Sequence, residues 1–185
     1  TVLLGENGCG KTTLLRLISR LEKPTRGVIL QDIDDKFRQK SKQSKKWYKK
    51  VGVVYQNPDY QLFMQTVEKE IKFGAKSDEY ADEIAEKFGI KHLYARHPQS
   101  LSEGQKRRVS IAAVVATDPE VLILDEPTVG QDYKGLCEMV EVLNKLHEEA
   151  HNTMITVTHD KRCAAALCDK SVWIKNGKTY KTGGK

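Results

Sequence analysis

The residues Gly5-Glu6-Asn7-Gly8-Cys9-Gly10-Lys11-Thr12 place glycines, a lysine and a hydroxyl at the spacing of a phosphate-binding loop, G-x-x-x-x-G-K-T. Glycines let consecutive backbone N–H groups turn inward around phosphate oxygens, and a helix starting there adds the positive end of its dipole. Lys11 then reaches the β- and γ-phosphates and Thr12 can ligate Mg²⁺. Downstream, the apolar run Val121–Leu124 ends in Asp125 and Glu126. In phosphoryl transfer a carboxylate at a strand end holds Mg²⁺ through its water shell, while its neighbour orients or deprotonates the attacking water. Asp125 fits the first role and Glu126 the second. Glycines alone would only make a turn, and the loop pattern by itself fits kinases, GTPases and motors equally well.

These groups need elements to hold them. Thr1–Leu4 reads as a strand feeding the glycine-rich turn, and Thr12–Leu21 carries apolar residues at helical spacing: Leu14, Leu15, Leu17, Ile18 and Leu21. Further strands are expected at Val28–Leu30, Val51–Tyr55, Val121–Leu124, Thr153–Thr158 and Ser171–Ile174. Strands alternating with helices predict an α/β fold of the P-loop NTPase kind with a mostly parallel sheet. From Thr66 to Thr117 the periodicity is helical without a strong strand, and Ala81, Ile84, Ala85 and Phe88 mark one apolar face. The chain therefore divides into one domain of two parts: an α/β core at 1–60 and 120–185, and an inserted helical subdomain at 61–119.

Composition bounds the setting. The 185 residues suffice for one core; 39% are hydrophobic and 30% charged, which excludes wholesale disorder. No apolar run approaches the roughly 20 residues that span a bilayer, so a membrane would be served from outside it. Cys9, Cys137, Cys163 and Cys168 lack metal-ligand or disulfide-framework spacing, and a reducing cytoplasm is the natural setting. Cys9, between two glycines and near Lys11, is expected to be alkylated readily, with Mg-ATP protecting it. The net charge of +6 is concentrated: Lys36 to Lys50 holds eight Lys or Arg residues and no acid. Such a run can meet nucleic acid or anionic lipid, but more simply forms a solvated loop, anchored to the core by Trp47 and Tyr48.

Between the loop and the carboxylates lies Leu101-Ser102-Glu103-Gly104-Gln105, which resembles the LSGGQ signature of ABC ATPases with Glu103 in place of a glycine. On its own the segment is also a helix start, with Ser102 capping a helix from Glu103 to Thr117. In order along the chain, Gln56 resembles the Q-loop glutamine, Asp132 the D-loop aspartate and His159 the H-loop histidine. The resemblance runs from Thr1 to about Lys178. A second likeness is narrower: Tyr55-Gln56-Asn57-Pro58-Asp59-Tyr60-Gln61-Leu62-Phe63, then Thr66-Val67-Glu68, then Gln105–Val109, is similar to the ATPases of energy-coupling factor transporters, which import vitamins or transition-metal ions.

The resemblance implies ATP and Mg²⁺ as ligands and a head-to-tail dimer with a second ABC ATPase domain, alike or different. In it each nucleotide lies between the phosphate loop of one domain and the signature of the other. The phosphate cradle would be Gly5, Asn7, Gly8, Cys9, Gly10, Lys11, Thr12 and Thr13. Thr12, Gln56 and Asp125 would serve the metal, and Glu126, His159, Gln56 and Lys11 would act in hydrolysis. Ser102, Gly104 and Gln105 would serve the partner's nucleotide, with Asp132 nearby. A transmembrane coupling subunit is the other implied partner, at the cytoplasmic face of the membrane, with no nucleic acid. Gln131 departs from the family, which usually has Leu there; Ala75–Asp82 is short for the helical part; the chain stops soon after the last strand. Two other functions compete: a soluble ABC ATPase acting on nucleic acid or ribosomes, suggested by the basic run, and a non-catalytic regulatory subunit, against which Glu126 and His159 argue. Only four residues precede Gly5, so upstream strands and an adenine-stacking aromatic are expected before Thr1.

Overall fold

The computed structural model describes residues 1–6, 8–27, 29, 47, 50–150, 152–167 and 169–182. Asn7, Tyr48, Cys168, most of the expected strand at 28–30 and most of the basic run at 36–50 lie outside them.

Six strands form one sheet among the described residues: β1 (Val2–Gly5), β2 (Val51–Val54), β3 (Val121–Asp125), β4 (Thr153–Val157), β5 (Ser171–Lys175) and β6 (Lys178–Thr182), in the order β2-β3-β4-β1-β5-β6. Every pairing is parallel except β5 with β6. All five residues of β3 are buried, as in a parallel sheet covered on both faces. Its alternation divides the core. Leu122 and Leu124 join the larger apolar cluster with Val2, Val54 and Met154, while Val121 and Ile123 join Leu3, Leu15, Trp47 and Val157 on the other face. Trp47 is buried and its indole N–H donates to the Ile18 carbonyl, so this one residue of the basic run is held by the core.

β6 lies beyond the strands expected from apolar runs. Its signal is Asn176-Gly177, where φ values of 50° and 68° make the tight two-residue turn that joins antiparallel strands, Lys175 pairing with Lys178.

Helices α1 (Lys11–Ile18), α2 (Val67–Lys72), α3 (Asp78–Lys87), α4 (Glu103–Val115), α5 (Tyr133–Ala150) and α6 (Lys161–Ala166) cover the sheet and fill the helical part. From 61 to 119 there is no strand. Thr66, Ser77 and Ser102 each accept a backbone N–H at the start of α2, α3 and α4, which fixes where the three helices begin. Ala81, Ile84, Ala85 and Phe88 are buried as their spacing predicts, and they share one cluster with Leu122 and Leu124 of the sheet. Glu70 is buried in α2, and its Oε2 accepts the N–H groups of Phe63 (2.9 Å) and Met64 (2.7 Å), which leaves the Phe63 ring outside. Burial pushes the Glu70 carboxyl above its ordinary value, against the pull of those two N–H groups.

Candidate functional site

The chain leaves β1 through Gly5, turns through Gly8 (φ 77°) and Gly10 (φ 101°), and enters α1 at Lys11. A side chain is strained at those two angles, which is why glycine recurs. Gly5 meets a different limit: a Cβ there would lie 2.6 Å from the Ile174 carbonyl oxygen. No side chain caps α1. The buried Lys11 ammonium donates to the carbonyls of Gly5 (2.8 Å) and Glu6 (2.9 Å), spanning the inside of the loop.

At the end of β3, Asp125 is buried and its Oδ2 accepts the Thr12 hydroxyl at 3.3 Å. Burial raises its pKa, and the Thr12 hydroxyl and the Lys11 and Arg107 charges oppose the rise. Glu126 adopts a φ of 52°, left-handed backbone that a non-glycine residue enters at a cost of about 1–3 kcal/mol. Its N–H donates to the Val157 carbonyl (2.8 Å), which ties it to the end of β4. Its carboxylate lies 2.8 Å from the Nδ1 of His159 and accepts that residue's N–H at 3.3 Å. The Glu126 side chain is 9% exposed and the His159 ring 66%, so the pair spans from the interior to solvent.

A cavity of about 570 Å³ brings together Gly8, Gly10, Lys11, Thr12 and Thr13 of the loop with Gln56, Asp125, Glu126 and His159. Among the described residues no group of three or more His, Cys, Asp or Glu could hold a metal ion. The hydroxyl of Thr12 beside the carboxylate of Asp125 nevertheless suits Mg²⁺, a hard cation that keeps several waters and takes phosphate oxygens for the remainder of its shell. Cys9 does not line this cavity; with Glu6 it lines a smaller one of about 300 Å³ against residues 174–177.

Ser102, Gly104, Gln105 and Asp132 also lie away from the cavity wall. Ser102 and Gln105 form a reciprocal cap: the Gln105 N–H donates to the Ser102 hydroxyl (3.3 Å) and the Ser102 N–H to Gln105 Oε1 (3.1 Å). Asp132 starts α5, its Oδ1 accepting the Gly135 N–H at 2.7 Å.

Three side chains absent from the sequence-based site join the signature turn to its surroundings. Arg107, 4% exposed, donates to the carbonyls of Tyr55 (3.0 Å) and Gln56, and its Nε has no hydrogen-bond partner among the described residues. Desolvation lowers its pKa from the ordinary arginine value. Lys106 pairs with Asp59 at 2.9 Å. Gln131 donates to the Gly104 carbonyl at 3.0 Å. Arg107 and Lys106 sit within the Gln105–Val109 stretch already singled out, but only burial distinguishes them from surface cations.

A family model described as ABC transporter matches residues 1–129. The energy-coupling factor transporter ATP-binding protein EcfA2 of Enterococcus faecalis is 42% identical over 199 residues, covering 99% of this chain and 67% of that protein. The solved structure of CbiO1 from Clostridium perfringens, described as part of the ABC transporter complex CbiONQ, matches with a TM-score of 0.82 at 36% identity, covering 97% of this chain and 74% of that one. A dimeric structure of the ATP-binding cassette MJ0796 in a post-hydrolysis state, bound to ADP and Pi, matches with a TM-score of 0.83 at 27% identity over 100% and 85%. The chain spans about two thirds of the length of the curated relatives it matches.

Proposed function

This chain belongs to the ABC transporter family, and on that premise we propose that it binds and hydrolyses Mg-ATP to power an energy-coupling factor importer of a vitamin or transition-metal ion. The observation that carries the reading is the single cavity in which Lys11 and Thr12 face Asp125, Glu126, Gln56 and His159. The likeness to EcfA2 and CbiO1 supports the transporter class.

In this mechanism the N–H groups at the uncapped start of α1, with Gly8 and Gly10, receive the phosphates, and the Lys11 ammonium exchanges its two loop carbonyls for phosphate oxygens. Thr12 and Asp125 would hold Mg²⁺, which would supply positive charge to offset that of the phosphates. Gln56 reaches in from the end of β2 to sense the γ-phosphate and metal. Glu126 accepts the proton of the attacking water, and His159, hydrogen-bonded to it, contacts the γ-phosphate from the open side. Burial behind β3 and β4 keeps the Glu126 carboxylate aimed at that space.

Residues 61–119 act as the helical subdomain, and the chain works as a head-to-tail dimer in which Ser102, Gly104 and Gln105 complete the opposite site. The dimer of MJ0796 supports this arrangement, and so does the fact that Ser102, Gly104 and Gln105 do not line their own chain's cavity. A transmembrane partner at the cytoplasmic face is the remaining subunit; among the described residues no helix is long and apolar enough to cross a membrane. Ser102→Arg tests the dimer. Nucleotide binding by the isolated chain is expected to stay largely intact while sizing with a slowly hydrolysed ATP analogue shows no dimer; a variant that dimerises normally would refute the interfacial signature.

A further inference from the structure

Gln131 stands between Glu126 and α5, in a turn whose next residue, Asp132, starts that helix. Its amide nitrogen donates to the Gly104 carbonyl at 3.0 Å. The same amide lies against backbone that carries no side chain: a Cβ on Gly135 would approach its Oε1 to 2.5 Å, and a Cβ on Gly104 its Nε2 to 3.3 Å. The two glycines thus form a slot, and the planar amide fills it. Leucine, the residue that the family resemblance leads one to expect here, has similar bulk but no donor, so a hydrogen bond to the signature turn is available to this chain only because position 131 departs from that pattern.

We propose that Gln131 is a positioning residue for the signature turn. Its bond to Gly104 fixes the start of α4 against the segment that carries Glu126 and Asp132. The turn that would present Ser102 and Gly104 to the opposite nucleotide is thereby held in place relative to this chain's own Glu126. This rests on the reading that the signature serves the opposite subunit.

The test uses the full chain, in the dimer that it forms alone or with its co-purified ATPase partner. Gln131→Met keeps the length and loses the donor; Gln131→Glu keeps the shape and sets a carboxylate against a carbonyl. The concentration of ATPγS with Mg²⁺ at half-maximal dimerisation should rise roughly three- to tenfold for Met, the loss of one neutral hydrogen bond, and further for Glu. Binding of a fluorescent ATP analogue to the monomer should be unchanged. Amide exchange in the monomer gives a reading that needs no partner: the Lys106 N–H, which donates to the Ser102 carbonyl at 2.8 Å, should exchange about three- to tenfold faster in Gln131→Met. Unchanged dimerisation and exchange in Gln131→Met overturn the proposal, as does an equal loss of monomer binding. Ser102→Arg separates the two failures. If it blocks dimerisation while Gln131→Met shifts nothing, only the role of Gln131 falls; if Ser102→Arg dimerises normally, the opposite-site reading falls and this inference with it.

Discussion

Helix α1 starts at Gly10, with φ 101° and no side-chain cap, whereas α4 starts at Ser102, whose hydroxyl and backbone N–H are both engaged by Gln105. The first helix leaves its leading N–H groups to be satisfied from outside, and the second engages two of them, those of Ser102 and Gln105, from within. A helix of the first kind gains stability when an anion arrives, since those donors are otherwise met only by water. A helix of the second kind keeps its shape whether or not a ligand is present. One chain thus holds a cradle open to an anion and a turn already formed, which the proposed dimer would present to a neighbour. Helix α6 shows a third solution, a charged cap: Asp160 Oδ1 accepts the N–H groups of Arg162 and Cys163 while Oδ2 pairs with the Arg162 guanidinium at 2.8 Å.

If the cradle and the carboxylates are separate devices, Glu126→Gln should lower turnover by roughly 10²- to 10⁴-fold and leave the ATP dissociation constant nearly unchanged. Steady-state hydrolysis beside equilibrium binding reads both, and equal losses in the two would merge what the comparison separates. Lys11→Ala should act on binding itself, weakening it about tenfold to a hundredfold, the range for charge-assisted hydrogen bonds. A variant that binds normally would show the open start of α1 to be sufficient alone.

Smaller effects probe the preformed turn. Ser102→Ala removes the cap, and the cost of about 1 kcal/mol should lower the Tm of the nucleotide-free chain by roughly 2–4 °C. A Tm that falls only when nucleotide is present would place the role of Ser102 wholly in the interface. The smallest change concerns α6. The Arg162 guanidinium, aided by the two capping N–H groups, holds the Asp160 carboxyl below its ordinary 3.8, at about 2. A folded-state pKa that is depressed gives stability present above 3.8 and lost as the pH falls through about 2. Asp160→Asn keeps an acceptor for the helix start but not the charge, so the decline of Tm across that window should be shallower than in the parent. Parallel curves would mean that the exposed Arg162 contributes nothing measurable.

The groups of the cavity were legible in the sequence because each sits at a fixed offset from a strand end. Gly8 to Thr13 follow β1, Gln56 follows β2, Asp125 and Glu126 close β3, and His159 follows β4; a parallel sheet collects such ends along one edge. Periodicity likewise located α3 and its buried face. The neighbours of the signature turn were less visible. Arg107 and Lys106 look like any pair of basic residues in a helix, and only the packing of α4 beneath residues 55–59 turns them inward. Gln131 could be noted as a departure, but its partner Gly104 lies 27 positions away in the chain. β6 is Lys-Thr-Tyr-Lys-Thr, without an apolar run, so only the turn residues Asn176-Gly177 mark it in the sequence.

The sheet order also sets a timetable for assembly. β1 holds the phosphate loop, yet its two neighbours are β4 and β5: Val2 pairs with Thr156 on one side and with Ser171 on the other. β1 is therefore seated only after β4 and β5 have been made, and its pairing with β5 closes the longest loop between paired strands among the described residues. β2 with β3 and the helices between them contain shorter separations and can form sooner. Nucleotide affinity should be acquired late in refolding, and pulsed hydrogen exchange should protect Leu3 no earlier than Thr156; earlier protection of Leu3 would show the strand docking elsewhere first. Until that closure Val2 and Leu3 are bare apolar surface, so the interval before the last strands arrive is when the chain is most open to capture by a chaperone or by another unfinished copy.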